Sequence, residues 1–277
     1  NNSGVKSDKV MDQLEKYSNV SVFFFGSKNI NKFDFSIGLS LEENKISLEN
    51  YFLTKSNESR KIKSFNPSLN IAHKLKNFNL FTNFSTGYET PTLNELSATA
   101  GQTGFNKNLQ SVNSKTFEIG ISNYDFKSKI NYNFRIFNIS TTNEITPFES
   151  ESGQTLYQNA GKTIKRGIEL ELYSKINKNI SANYSLTLGE YKFDEFLVKE
   201  NNFSKNHIPG VPKNFQKVSI NYSSEKDLKI ILGYKSVGKM YVNNSNETLI
   251  NGYNLFSLKF SKKMKLFNNN ITPFLSL

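Results

Sequence analysis

Apolar and polar residues alternate one for one along most of this chain, and a period of two leaves extended strands as its dominant secondary structure. In KFDFSIGLSLE, Phe33, Phe35, Ile37, Leu39 and Leu41 share one face, with Lys32, Asp34, Ser36, Ser40 and Glu42 on the other. ISANYSLTLGEY repeats the design, setting Ile180, Ala182, Tyr184, Leu186 and Leu188 against Ser181, Asn183, Ser185, Thr187 and Glu190. In the stretch 157–176, Ile168, Leu170 and Leu172 alternate with Glu169, Glu171, Tyr173 and Lys175. Segments of the same habit at 20–25, 69–75, 80–85, 117–124, 130–136, 218–222, 228–234, 256–260 and 271–277 bring the expectation to about twelve strands. Two places depart from it. After Ile136 the apolar parity passes to Phe137 and Ile139, which marks a bulge or an exit from the apolar layer, and Ile231 falls on the polar face. Helical periodicity is confined to VMDQLEKY, residues 10–17, which is too short to stand alone.

Short polar turns at 27–31, 76–79, 125–127, 177–179, 224–227 and 268–270 alternate with long linkers at 43–63, 88–113, 146–163, 192–213 and 238–252. In an antiparallel meander that puts the short turns at one end and the long loops at the other, as in outer-membrane barrels. Alternation itself fits two architectures. A soluble sandwich packs its apolar face inward, whereas a transmembrane barrel turns it to lipid and lines its lumen with the polar face. Three features favour the barrel. Segments of about 9 to 11 residues match a tilted membrane span. Aromatic residues lie near strand ends (Phe24, Phe33, Tyr124, Tyr191, Tyr222, Tyr253), where interfacial girdles form. A hydrophobic content of 36% spread over so many strands leaves little large-residue packing for a two-layer core.

The chain carries 35 Lys+Arg against 24 Asp+Glu, a formal charge of +11, which attracts polyanions, lipid head groups or acidic ligands. A general enrichment in Lys and Asn accounts for it equally well. The cations are dispersed, without the arginine-rich or aromatic-interleaved runs of nucleic-acid binders, so no nucleic-acid partner is expected. Cysteine is absent, which excludes disulfides and thiolate chemistry. His73 and His207 are far apart with no second imidazole at ligand spacing; both are read as interface or loop residues, and no metal site is expected. No apolar run reaches the roughly 18 to 20 residues of a spanning helix, and no signal peptide is present. The chain starts at Asn1 in polar sequence and stops at ITPFLSL within an apolar alternation, which reads as a fragment of a longer polypeptide.

FSTGYETPTLNEL, residues 84–96, resembles the aromatic–x–Thr–Gly–aromatic–x–x–Pro–Thr–x–x–Glu–Leu segment of TonB-dependent outer-membrane receptors, with Gly87, Pro91, Thr92, Glu95 and Leu96 at the motif positions. SKTFEIGISN (114–123) resembles the strand that follows it. NEITPF (143–148), YQNAGKTIKRGIELEL (157–172), IPGVPKN (208–214) and YVNNSNETLINGYNLFSL (241–258) are similar to further landmarks in the same order. These contribute Asn159, Ala160, Gly161, Arg166, Gly167, Glu169, Pro209, Gly210 and Pro212.

The resemblance implies an all-β, antiparallel transmembrane β-barrel, of which residues 1–277 would supply about twelve of about 22 up-and-down strands. The plug domain and the last strand would lie outside it. It implies a Gram-negative outer-membrane protein that takes up a scarce solute with energy from the TonB protein, a ferric siderophore or other iron complex first among the candidates. Partners would be membrane lipid and lipopolysaccharide, the receptor's own N-terminal plug domain, TonB, and a small-molecule metal chelate, with no resident cofactor. A passive porin-like or adhesive barrel is the alternative. A soluble β-sandwich would be a water-soluble monomer.

Several residues invite sharper roles. Pro91 and Glu95 are assigned to structure, a turn-forming proline and a carboxylate holding loop amides, before ligand contact. Lys162, Lys165 and Arg166 could attract an anionic chelate, but are read as a solvated strand entry near lipopolysaccharide phosphates. NHIPGVP (206–212) places His207 in a long loop that its prolines and glycine make rigid, a better fit than heme ligation. No catalytic constellation is present: Glu169 and Glu171 share a strand face without a partner that would tune one for acid–base work, so no enzymatic activity is expected.

Overall fold

The computed structural model describes residues 13–51, 56–97, 105–123, 128–150, 153–198, 200–267 and 269–277. Twelve strands form one sheet: β1 (Gln13–Ile30), β2 (Phe33–Asn50), β3 (Ser56–Lys74), β4 (Asn79–Glu89), β5 (Val112–Asn123), β6 (Ile130–Thr142), β7 (Lys162–Lys175), β8 (Ile180–Glu195), β9 (Asn214–Ser223), β10 (Leu228–Val237), β11 (Tyr253–Lys262) and β12 (Phe274–Ser276). Each pairs antiparallel with its sequence neighbour, and β1 and β12 are the edges. Four two-stranded ribbons decorate the connections. A five-residue helix, α1 (Leu93–Ser97), sits in the connection between β4 and β5.

The register fixes the faces. Phe35 opposes Ile71, Leu69 opposes Phe84, Ile119 opposes Ile136, and Ile168 lies between Ile136 and Leu188. One continuous apolar face results, and it is bare: Ile37, Phe84, Phe117, Ile119, Ile136 and Leu232 are all exposed. Among the described residues no second sheet covers it, which rules out the sandwich. The opposite parity lines a hollow of about 630 Å³ that runs from Asn131 on β6 to Ser276 on β12, past Glu171, Asn183, Lys217 and Ser219. Ile231 lies on this polar wall, as its parity predicts.

β1, β2 and β3 run 18, 18 and 19 residues, well beyond the roughly 9–11 that cross a hydrocarbon layer. The extra length has inverted chemistry. Above Leu41 and Phe65, polar Glu43, Lys45, Lys61 and Lys63 take the outer parity, while Asn44, Ile46, Leu48 and Ile62 turn inward and are buried. The reason is physical: once a strand leaves the apolar layer, its outer face meets water and its inner face meets folded loops. The same inversion explains the change after Ile136. Phe137 is buried on the inner side and the pairing of β6 runs on without a shift, so the strand exits the apolar layer there and has no bulge. The bulge of this region lies in β8, between Phe193 and Glu195.

Four sequence expectations are corrected by the structure. Residues 13–17, the described part of the one stretch with helical periodicity, are the start of β1, where cross-strand pairing overrides weak helical propensity; residues 10–12 lie outside the described residues. The linker at 43–63 is mostly ladder, paired from Glu43↔Lys63 to Asn50↔Ser56. Ile271 belongs to the ribbon Met264–Leu266/Asn269–Ile271, and β12 starts only at Phe274. Glu190, grouped with the polar face, has the outer parity of Leu188, because Gly189 intervenes between them. The girdle also thins: Phe33 and Tyr222 lie on the outer face near the short turns, but Tyr191 and Tyr253 share the inner parity. Tyr124 and the turn at 125–127 lie outside the described residues.

Gly167 is where two strands and a ring meet. A Cβ there would run into the Leu188 carbonyl oxygen and lie 2.8 Å from Gly189 Cα and 3.0 Å from Phe137 Cζ. Gly167→Val is therefore expected to destabilise the folded barrel by about 1–3 kcal/mol through overpacking, measured by urea unfolding in lipid vesicles; an unchanged midpoint would refute this account of the contact.

Candidate functional site: the polar wall and its loop-lined mouth

The middle of the polar wall is organised by charge. Arg135 and Glu169 are direct cross-strand partners and form an ion pair, with Arg135 Nε donating to Glu169 Oε2 at 2.5 Å. Asn83 Nδ2 donates to Glu118 Oε2 at 3.2 Å on the neighbouring strands. Such pairs let a wall carry many carboxylates facing water without repulsion between strands.

Above it, loops close down on the inner face. Thr92 and Glu95 form a capping box at α1: Glu95 Oε2 accepts from the Thr92 amide at 2.8 Å, and Thr92 Oγ1 accepts from the Glu95 amide at 3.3 Å. Pro91 and Leu96 are fully buried, and Leu96 packs with Ile46, Leu48, Ile62, Phe105 and Leu109. Gly87 lies two residues before the end of β4, opposite Ser114. The loop is also tied by polar bonds. Asn44 Nδ2 donates to Thr90 Oγ1 at 3.0 Å, Asn44 Oδ1 accepts from Tyr17 and Asn19, and Arg60 Nη1 donates to the Leu109 carbonyl at 2.5 Å.

Asn159 is a second node, its Nδ2 donating to the Gln110 and Asn143 carbonyls (2.9 and 2.7 Å) while its Oδ1 accepts from the Gln110 amide at 2.7 Å. Ala160 is buried beside Phe193 and Phe196, and the Gly161 carbonyl accepts from the Asn143 amide. The segment 206–212 interlocks with the one beginning at Tyr241. Asn206 Nδ2 donates to the Asn244 carbonyl at 2.8 Å, the His207 amide to Asn246 Oδ1 at 2.7 Å, and the Gly210 amide to the Tyr241 carbonyl at 2.8 Å. Gly210 adopts φ +75°, the left-handed region that glycine enters without penalty. Pro209 and Pro212 flank it. The His207 ring lies against Tyr241, centroids 5.6 Å apart and 12° from parallel. Burial, then the charges of Lys213 and Lys192, hold its imidazole below the usual histidine value.

The three cations singled out in the sequence are all paired, each to a different carboxylate. Lys162 meets Glu195 at 2.7 Å, Lys165 meets Glu144 at 2.8 Å, and Arg166 Nη2 meets Glu190 at 2.6 Å. Sequence reasoning did not single out Asn44, Glu144 or Asn246; only Asn246, at φ 59° in an Asn-rich run, left a trace there. Among the described residues no group of three or more His, Asp or Glu is set to hold a metal.

Glu190 lies one row beyond the outer apolar face. Hydrogen bonds from Lys192 and then Arg166 hold its carboxyl at about 2, far below the usual carboxylate range. A depressed carboxylate stabilises the fold fully above its unfolded value, near 4.5, and loses that contribution as pH falls toward 2. The stability gap between wild type and Glu190→Gln is therefore expected to be below about 1 kcal/mol at pH 7, since the pair is solvated, and to vanish between pH 4.5 and 2. A gap that persists at pH 2 would contradict it.

The meander, the bare outer face and the polar wall define a membrane β-barrel. The profile of the family described as TonB dependent receptor-like, beta-barrel matches residues 2–272, and the chain belongs to that family. Its fold is similar to that of the ferric citrate transporter FecA in the unliganded form (15% identity, 99% of this chain and 42% of that chain, TM-score 0.76). It is also similar to the siderophore receptor PiuA from Acinetobacter baumannii (17%, 96% and 39%, TM-score 0.74) and to the copper transporter OprC (15%, 90% and 39%, TM-score 0.70). The chain spans about two fifths of the length of these structures.

Proposed function

We propose that this chain forms the C-terminal part of the barrel of an outer-membrane receptor that imports a scarce solute with energy from TonB, an iron chelate before other cargoes. The observation that carries the reading is the ordered family match over residues 2–272. Similar folds described as a ferric citrate transporter, a siderophore receptor and a copper transporter support a metal-complex cargo. On this reading the wall around Arg135, Glu169 and Glu171 encloses a plug domain and water, and loops rooted on β2, β3 and β8 frame the ligand's entrance. The tied motif residues Thr92, Glu95, Asn159 and Gly210 act as scaffold for that entrance.

Growth of a strain carrying the full-length receptor on defined iron sources, with and without TonB, tests it. The expected result is growth on one ferric chelate that is lost with TonB. Uptake that persists without TonB would make the protein a passive barrel instead.

A further inference from the structure

β3 outruns its second partner. It pairs with β2 along its whole length, but its ladder with β4 covers only residues 68–74 against 79–85. Pro67 ends that ladder, since it has no amide to donate to a further neighbour. From Thr86 on, β4 pairs with β5 alone, and the upper part of β3 keeps an open edge. Two bonds fix which groups lie on it. The Lys74 amide donates to the Lys32 carbonyl on the β2 side, and Thr86 Oγ1 donates to the Pro67 carbonyl from the β4 side. Alternate residues of a strand send their amides and carbonyls to opposite neighbours, so Ser59, Lys61, Lys63 and Phe65 turn theirs away from β2. Among the described residues these groups meet no backbone partner. Beside the edge lies a notch of about 340 Å³, with Lys61 and Lys63 on one side and Tyr88, Gln110 and Asn113 on the other. It stands above Leu41 and Phe65, the last outward apolar pair. The outward rows next to it are cationic: Lys45 and Lys61 are direct cross-strand partners, and one carboxylate, Glu43, serves both Lys61 and Lys63. These two lysines remain 62% and 77% exposed, while Ile62 between them is buried on the inner side.

An open edge is a template for a further strand. We propose that this one takes up an extended acidic segment of an extracellular protein, whose main chain bonds the edge groups of Lys61 and Lys63 and whose carboxylates, at every second residue, lie over the two lysine side chains. In such additions main-chain bonds supply the affinity and alternate side chains the selectivity. Lysines on an edge deter neutral and basic strands, which narrows the partner to an acidic one. A second copy of this chain does not fit, because two such edges would set lysine against lysine. An acidic strand instead relieves the repulsion between Lys45 and Lys61. From the barrel reading the proposal takes only the outward orientation of the notch. It depends neither on the imported solute nor on TonB.

The test is amide hydrogen exchange of the full-length receptor in detergent, alone and with a synthetic peptide of alternating Thr and Glu at millimolar concentration. Alone, the Lys61 and Lys63 amides are expected to exchange at least about tenfold faster than the Ile62 amide, which faces β2. The acidic peptide is expected to slow Lys61 and Lys63 by at least about tenfold and to leave Ile62 unchanged. It is also expected to bind at least about tenfold tighter than a peptide of alternating Thr and Lys. Lys63→Pro removes only the donor that faces the notch and is expected to abolish the protection at Lys61, whereas Lys63→Gln keeps that protection with weaker binding. Lys61 and Lys63 amides already protected in the receptor alone would show that its own chain closes the edge and would overturn the proposal; this measurement needs no variant to fold. Equal binding of the two peptides, or an acidic peptide that leaves both amides unprotected, would overturn it as well. So would a Lys63→Pro receptor that stays heat-modifiable on a gel and still gains protection at Lys61.

Discussion

Leu170→Arg is expected to cost the receptor about 2–4 kcal/mol of folding stability in a bilayer. Leu170 is the central apolar residue of β7, between Ile168 and Leu172 on the outer face, and its cross-strand partners there are Phe134 and Leu186. A guanidinium in that row has only hydrocarbon to solvate it and can escape only by snorkelling or by thinning the bilayer. Ser185→Arg, one residue away in parity on β8, points into the polar hollow beside Glu171 and is expected to change stability by no more than about 0.5 kcal/mol. Reversible urea unfolding of the two variants in phosphatidylcholine vesicles measures the difference. Equal costs for the two would mean that the face assignment is wrong.

Phe193→Ala is the second large effect, and it falls on a different part of the molecule. Phe193 is fully buried, meets the Phe196 ring at a tilt of 41° with centroids 4.6 Å apart, and packs with Ala160 beneath the loop that carries Val198, Phe203 and Ile208. Removing the ring forfeits its transfer energy and leaves a cavity, about 3–5 kcal/mol locally. That loop is otherwise tied to β8 by polar bonds: the Lys205 amide donates to the Phe193 carbonyl, the Phe193 amide to the Asn206 carbonyl and the Ile208 amide to the Tyr191 carbonyl, and Lys205 pairs with Asp194. The expected outcome is faster proteolysis within residues 196–213 by at least about a hundredfold, with the barrel still heat-modifiable on a gel. Cleavage at the wild-type rate would show that the polar stitches to Asn244 and Asn246 suffice.

Most of the sheet was legible because its signal is local. A strand between lipid and water must alternate, so Phe33 to Leu41 and Ile180 to Leu188 announced both their conformation and their faces. The long extensions of β1 to β3 were not legible for the same reason. Beyond Leu41 the outer side becomes polar and the inner side apolar, and a reader expecting one parity throughout sees a linker at 43–63 where the chain continues its ladder. Glu190 was misplaced by a single residue, since Gly189 carries no side chain to mark the polar parity. At the mouth, the capping box of Thr92 and Glu95 was visible as a motif. The joining of Asn44 to Thr90 and of Asn246 to His207 was not, because those bonds link residues 46 and 39 positions apart and depend on where the folded loops come to rest.

The hairpin of β2 and β3 divides its duties between its two sides. Ile46, Leu48 and Ile62 hold the architecture, so substitutions there are penalised whatever the cell encounters. Glu43, Lys45, Lys61 and Lys63 point outward, where Glu43 pairs with Lys61 and Lys63 in solvent-exposed contacts, and exchanging one polar side chain for another among them leaves folding almost untouched. That side of the hairpin is therefore the part of the sheet freest to change, and a substitution there carries almost no structural penalty.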